Sequence, residues 1–204
     1  MNCKLKTALL TLAIATALPA AAQETAKAAA PAMTPEQKVM MEAYQKAGTP
    51  GDQHAQLKKM EGSYDLSIKS WEAPGQPPTI EKGTATRKMM LDGRVLAESM
   101  EARMHGQPYH GHGMSGYDNV SNKHWNTWND SMSTGVMVAE GDCTPQGACT
   151  FIGGWNDAIT KKKTISRMTA RWTSPSVEVF EMYAPGPDGK EMKMMEITYT
   201  KRAD

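Results

Sequence analysis

"TIEKGTATRKMMLDGRVLAESMEARM", residues 79–104, is the stretch on which the fold turns. Two extended runs, 79–90 and 94–104, flank Leu91-Asp92-Gly93, and Gly directly after Asp is the residue pair that reverses a hairpin with little steric cost. Working outward, the same design recurs from Ser63 to the C-terminus. The period is two, and a turn signal arrives every dozen or so residues: "APGQPP", "GQP", "YDNVSN", "PQG" and "APGPDGK". Strands are expected near 63–72, 79–90, 94–104, 108–117, 122–130, 133–141, 148–156, 161–172, 176–184 and 190–201. No intervening stretch is long enough for a helical crossover, so each strand should pair antiparallel with its sequence neighbour. A flat sheet of that size would expose two edges, and closure removes them. The fold class is therefore mainly β, an antiparallel up-and-down barrel of about ten strands with an N-terminal helical segment.

Upstream, the chain opens with Lys4 and Lys6, an uncharged run from Thr7 to Leu18, Pro19 and three alanines. That is the layout of a secretory signal cut after Ala22. The apolar run is shorter than the ~20 residues a spanning helix needs. The expected organisation is a signal peptide over 1–22, a linker and N-terminal helix over 23–50, and the barrel over 51–204. The expected location is periplasmic or secreted. Within 23–50, Thr34 is an N-cap, Pro35 opens the helix, Gln37 completes a capping box and Gly48 stops it. Val39, Met40, Ala43 and Tyr44 share one face of that helix. A second short helix is expected from Asp52 to about Met60.

Composition narrows the function classes. The formal net charge is +1, with Lys161-Lys162-Lys163 the only cationic block, which argues against nucleic acid as a partner. Cys143 and Cys149 in "GDCTPQGACT" are expected to pair in an oxidising compartment and staple a hairpin tip around a Pro-Gln-Gly turn. After Ala22 only nineteen residues are Leu, Ile, Val or Phe, yet 16 Met, 5 Trp and 6 Tyr accompany them. Methionine must therefore fill much of the core, line a cavity for apolar ligands, or supply thioether ligands to copper(I).

Taken together, "HAQLKKMEGSY", "WEAPGQPP", "GTATRKMMLDGRVL", "GMSGYDNVSNKHWNTWNDSMSTG" and "VFEMYAPGPDGKEMKMMEITYTKR" resemble the bacterial secreted family known as domain of unknown function 1579. The resemblance covers about His54 to Arg202. It implies a calycin-like, lipocalin-type barrel and implies no activity. The matching Gly93, Arg94, Gly116, Tyr117, Asp118, Trp128 and Gly189 also read as fold-building positions, since Gly93 and Gly189 each follow an Asp in a turn and Asp118 can accept turn amides. His105, His110 and His112 are not among the residues that carry the resemblance.

Four of five histidines fall within "MHGQPYHGHGMSGYDNVSNKHW", residues 104–125. Residues two apart on a strand share a face. With the turn centred on Val120, His110 would oppose Asp130, His112 would oppose Trp128 and Gly116 would oppose His124. That register makes His110, His112 and Asp130 a candidate zinc or copper site. One inward histidine, His110 or His124, could instead hold haem. The alternative is a polar hairpin near the barrel mouth, its glycines there for bending or close backbone approach. A one-residue slip would scatter the set.

Catalytic signatures are missing from the sequence: "GMSGYD" lacks the spacing and the following helix of a nucleophile elbow, no phosphate-cradling glycine loop occurs, and Ser131 and Asp130, with His124 nearby, have the residue types of a triad but adjacent chain positions that point to opposite strand faces. The reading leans away from an enzyme. Glu98, Glu101, Glu178, Glu181 and Glu196 sit at strand positions with no pairing evident from sequence. Arg87, Arg94, Arg103, Arg167 and Arg171 are either outward ladder residues or, if one points inward, a partner for the carboxylate of an amphiphilic ligand. The functional expectation is a non-enzymatic binder of a small apolar or amphiphilic molecule, with a ligand-free structural domain and a metal or haem binder as alternatives.

Overall fold

A computed structural model describes residues 33–203, so the expected signal peptide and nearly all of the linker lie outside the described residues. Two helices come first, α1 (Pro35–Gly48) and α2 (Asp52–Lys59). Thr34 caps α1 as its sequence requires: its Oγ1 accepts from Gln37 N at 3.3 Å and its own N donates to Gln37 Oε1 at 2.9 Å.

Ten strands follow: β1 (Gly62–Ser70), β2 (Thr79–Met90), β3 (Val95–Met104), β4 (Gln107–Asp118), β5 (Lys123–Asp130), β6 (Met137–Cys143), β7 (Cys149–Asn156), β8 (Lys163–Ser174), β9 (Val177–Pro185) and β10 (Glu191–Lys201). Each pairs antiparallel with its sequence neighbours, and β10 closes on β1 from Tyr64 opposite Lys201 to Ser70 opposite Met195. The closed barrel expected from the turn signals is thus the architecture found. At β2–β3, Met90 O accepts from both Gly93 N and Arg94 N, and Leu91, Asp92 and Gly93 all adopt positive φ.

β6 begins at Met137 rather than near 133. Residues 131–136 instead make a loop held by Asp130 Oδ1 accepting from Met132 N, Ser133 Oγ accepting from Gly135 N, and Asn129 Nδ2 donating to Gly135 O. Side chains that satisfy nearby amides compete with ladder formation, which delays the strand. The expected disulfide is present between Cys143 and Cys149, across a turn in which Gly147 N donates to Thr144 O at 2.9 Å.

The core lies on the inner face, where Tyr64, Leu66, Ile68, Ala85, Met100, Tyr109, Ile197 and Tyr199 cluster. α2 packs across the barrel end formed by β2, β3 and β4, and inserts His54 and Leu57. α1 contributes no buried residue, and Val39, Met40 and Tyr44 are exposed. It is fastened by its C-terminus: Asn119 Nδ2 donates to Ala47 O and Thr49 O, and Arg94 Nε donates to Gly48 O. Those contacts satisfy the carbonyls that a helix end leaves free.

Candidate functional site

The β4–β5 hairpin decides what the interior looks like. Asp118 accepts from Val120 N at 2.8 Å and Ser121 N at 3.3 Å, its carbonyl accepts from Asn122 N, and Asn122 has φ of 56°. This four-residue loop sets Asp118 opposite Lys123, one residue away from the register assumed for a turn centred on Val120. The pairs are therefore Gly111 with Asp130, His112 with Asn129, Gly113 with Trp128 and Tyr117 with His124. The expected pairings of His110 with Asp130 and His112 with Trp128 are corrected accordingly. His110 and His112 share the exposed outer face, while Asp130 turns to the inner face. Among the described residues no group of three or more His, Cys, Asp or Glu side chains is arranged to hold a metal.

Gly111 and Gly113 now have a specific physical role. A Cβ on either would fall into the indole of Trp128, so the ring lies flat on bare backbone. Trp128 Nε1 then donates to Tyr109 Oη at 2.8 Å, and Tyr109 Oη donates to Asp130 Oδ2 at 3.3 Å. Burial pushes the Tyr109 phenol well above its usual value, so it stays a donor.

The inner face encloses a cavity of about 860 Å³. Eight methionines line it. Three of them form a row across adjacent strands, Met168 facing Met182 and Met182 facing Met195. Phe151, Trp155, Trp172 and Phe180 add aromatic surface. The lining reaches both barrel ends: Leu57 and Met60 of the α2 segment at one, Met132 and Val136 of the β5–β6 loop at the other.

One charged cluster sits inside. Arg87, 7% exposed, donates from Nε to Glu98 Oε2 at 2.6 Å and from Nη1 to Glu178 Oε2 at 2.5 Å. Tyr199 Oη donates to Glu98 Oε1 at 3.1 Å. The guanidinium lies against the rings of both Tyr64 and Tyr199, 4.9 and 4.3 Å from their centroids, and those two rings meet edge to face. Burial opposes the Arg87 charge, but Glu98 and Glu178 outweigh it and hold the group protonated. Burial likewise raises the Tyr199 phenol far above its usual range. Of the arginines named from sequence, Arg87 is the one that lines the cavity, and its partners are protein carboxylates. Arg167 and Arg171 belong to outer ion pairs with Glu191 and Glu181.

His124 also faces inward and is 6% exposed. It contacts Tyr117 edge-on, with 4.8 Å between ring centroids, and Tyr117 meets His54 of α2 at 6.0 Å. Burial lowers the His124 value, opposed by the charge of Asp142. Gln53 Oε1, also on α2, is buried without a hydrogen-bond partner.

These features define a class: a closed ten-stranded antiparallel barrel with a large, mostly apolar interior and one buried charge cluster. Residues 49–201 match the family described as protein of unknown function, DUF1579, and the chain belongs to that family. No curated protein matches the sequence. Among solved structures, the chain is similar to Rv2717c from M. tuberculosis, with 11% identity, a TM-score of 0.58, and 76% of this chain and all of that chain covered. It is also similar to a redesigned β-barrel, b11L5F_LGL, with 11% identity, the same coverage and a TM-score of 0.41. At such identity the first likeness speaks to fold alone.

Proposed function

We propose that this is an exported, non-enzymatic carrier or receptor that holds a small apolar or amphiphilic molecule inside the barrel. The carrying observation is the cavity: about 860 Å³ with a mainly apolar surface to which methionine and aromatic side chains contribute, interrupted by polar and charged side chains. Drug-sized ligands occupy pockets of ~300–1,000 Å³ with this mix of wall chemistry. Thioether chains repack around different shapes at little cost, which suits a container better than a rigid core. A ligand-free structural barrel would be filled by its own side chains.

Export rests on the N-terminal signal. Mass measurement of the protein recovered from a periplasmic extract is expected to show a chain beginning at Gln23. Ligand holding is tested with the neutral probe Nile red, which should bind one per protein with a blue-shifted emission. Ala170→Trp, which fills space on the inner wall between Cys149 and Phe180, should abolish that binding while the circular dichroism stays β. Native mass spectrometry of protein purified without detergent would then identify what co-purifies. An unlabelled barrel that takes up no probe in the wild type would return the reading to a structural domain.

A further inference from the structure

We propose that the ligand is an amphiphile whose polar end is a protonated amine, received at the α2 end of the barrel by Glu178, and that this end rejects carboxylates. The proposal rests on the ligand-holding reading above and names its chemical class. Arg87 lies near the end of β2, Glu178 near the start of β9 and Tyr199 near the end of β10. Antiparallel order puts all three at the barrel end where α2 precedes β1.

Charge and donor bookkeeping decide the class. The cluster pairs one guanidinium with two carboxyl groups, a formal surplus of one negative charge on largely buried side chains. Glu98 has both oxygens engaged, by Arg87 and by Tyr199. Glu178 is 3% exposed and lines the cavity; its Oε2 is held by Arg87, and its Oε1 has no donor among the described residues. That oxygen is open to the cavity, where the N–H of an incoming ligand can reach it and supply a charge-assisted hydrogen bond. Gln53 Oε1, on the helix that closes this end, is a second acceptor without a donor.

Arg87 Nη2 likewise has no acceptor among the described residues, which at first invites a ligand carboxylate. The net charge argues the other way. A third carboxylate would place three anions around one guanidinium, whereas an ammonium brings the cluster to neutrality. Asp130 adds a further carboxylate to the lining at the opposite barrel end, and the other lining cation, Lys59, is exposed at the α2 rim. Aromatic walls around the rest of the cavity suit a cation's aliphatic neighbours and the cation itself. Selectivity thus arises from repulsion of acids as much as from attraction of amines.

The test is displacement of Nile red from the purified protein at pH 7 by decylammonium, decanol and decanoate, ligands matched in tail and differing in head. Decylammonium is expected to bind at least roughly tenfold tighter than decanol, the size of one hydrogen bond to a charged group, with decanoate weakest. Glu178→Gln, which keeps the Arg87 contact through its amide oxygen, is expected to erase most of the amine's advantage and leave decanol unchanged. Decanoate binding as tightly as decylammonium would overturn the proposal while leaving the cavity a ligand site. An undiminished amine preference in Glu178→Gln would overturn the assignment to Glu178. If none of the three displaces the bound probe, the cavity does not accept amphiphiles and the amine proposal falls, whereas the ligand-holding reading stands or falls on Nile red binding itself. Should Glu178→Gln fail to fold, the wild-type series decides the head-group preference, and Glu178→Asp, which draws the carboxylate back from the cavity, tests the assignment by the same loss of the amine's advantage.

Discussion

Arg87 shows how one side chain ties the interior together, because two carboxylates and two tyrosine rings depend on it. Arg87→Met is expected to lower unfolding free energy by about 3–5 kcal/mol, since it strands two buried carboxylates without a partner. The triple change Arg87→Met, Glu98→Gln, Glu178→Gln should recover much of that loss, and urea denaturation of both variants measures it. Gly111 is the other decisive residue. Gly111→Ala must push the Trp128 ring off its seat and break the Trp128–Tyr109–Asp130 relay. A cost of about 1–3 kcal/mol is expected, together with a shifted tryptophan emission. Half of the Arg87 contact was within reach of the sequence: the β2–β3 turn at Leu91–Arg94 sets Arg87 directly opposite Glu98. Glu178 was not, because it comes from 91 residues further along the chain and meets Arg87 only through barrel closure.

Among elements, hairpin loops determine which face each side chain occupies. The β4–β5 loop contains four residues because Asp118 gathers two amides, and this one-residue difference turned Asp130 inward and left His110 and His112 outside. The β6–β7 hairpin is stapled by Cys143–Cys149 at a mouth of the cavity. The loop it closes is short, so changing both cysteines to Ala should cost about 2 kcal/mol in the chain-entropy account. That loss should leave the barrel closed, with hydrogen exchange rising in β6 and β7 ahead of other strands. α2 closes part of one end through Leu57, and its apolar contact is modest for a helix of eight residues.

For the whole molecule, an outer ion-pair network runs from β8 to β1 and spans the closing seam. Arg171 and Lys193 both bind Glu181, Lys193 also binds Glu196 at 2.9 Å, and Glu196 reaches Lys69 of β1 at 2.9 Å. The Lys193 hydrogen bond, helped by Arg171, pulls the Glu181 carboxyl down to about 2 from its ordinary 4.5. A carboxyl depressed on folding contributes stability that is fully present above pH 4.5 and is lost as pH falls toward 2. Urea midpoints should therefore drop between pH 5 and pH 2.5, and Glu181→Gln should flatten that limb while lowering the plateau above it. Local chemistry was written plainly in the chain: the Thr34 capping box, the Asp-Gly turns, the two-residue rhythm and the cysteine spacing each act within a few residues. From these, the sequence by itself determined ten antiparallel strands, a closed barrel and a methionine-rich interior. Only the tertiary structure decided which face the histidines took, which carboxylates met Arg87 and that a void remained. Those outcomes depend on loop parity and ring closure, which join residues that local propensities never bring together.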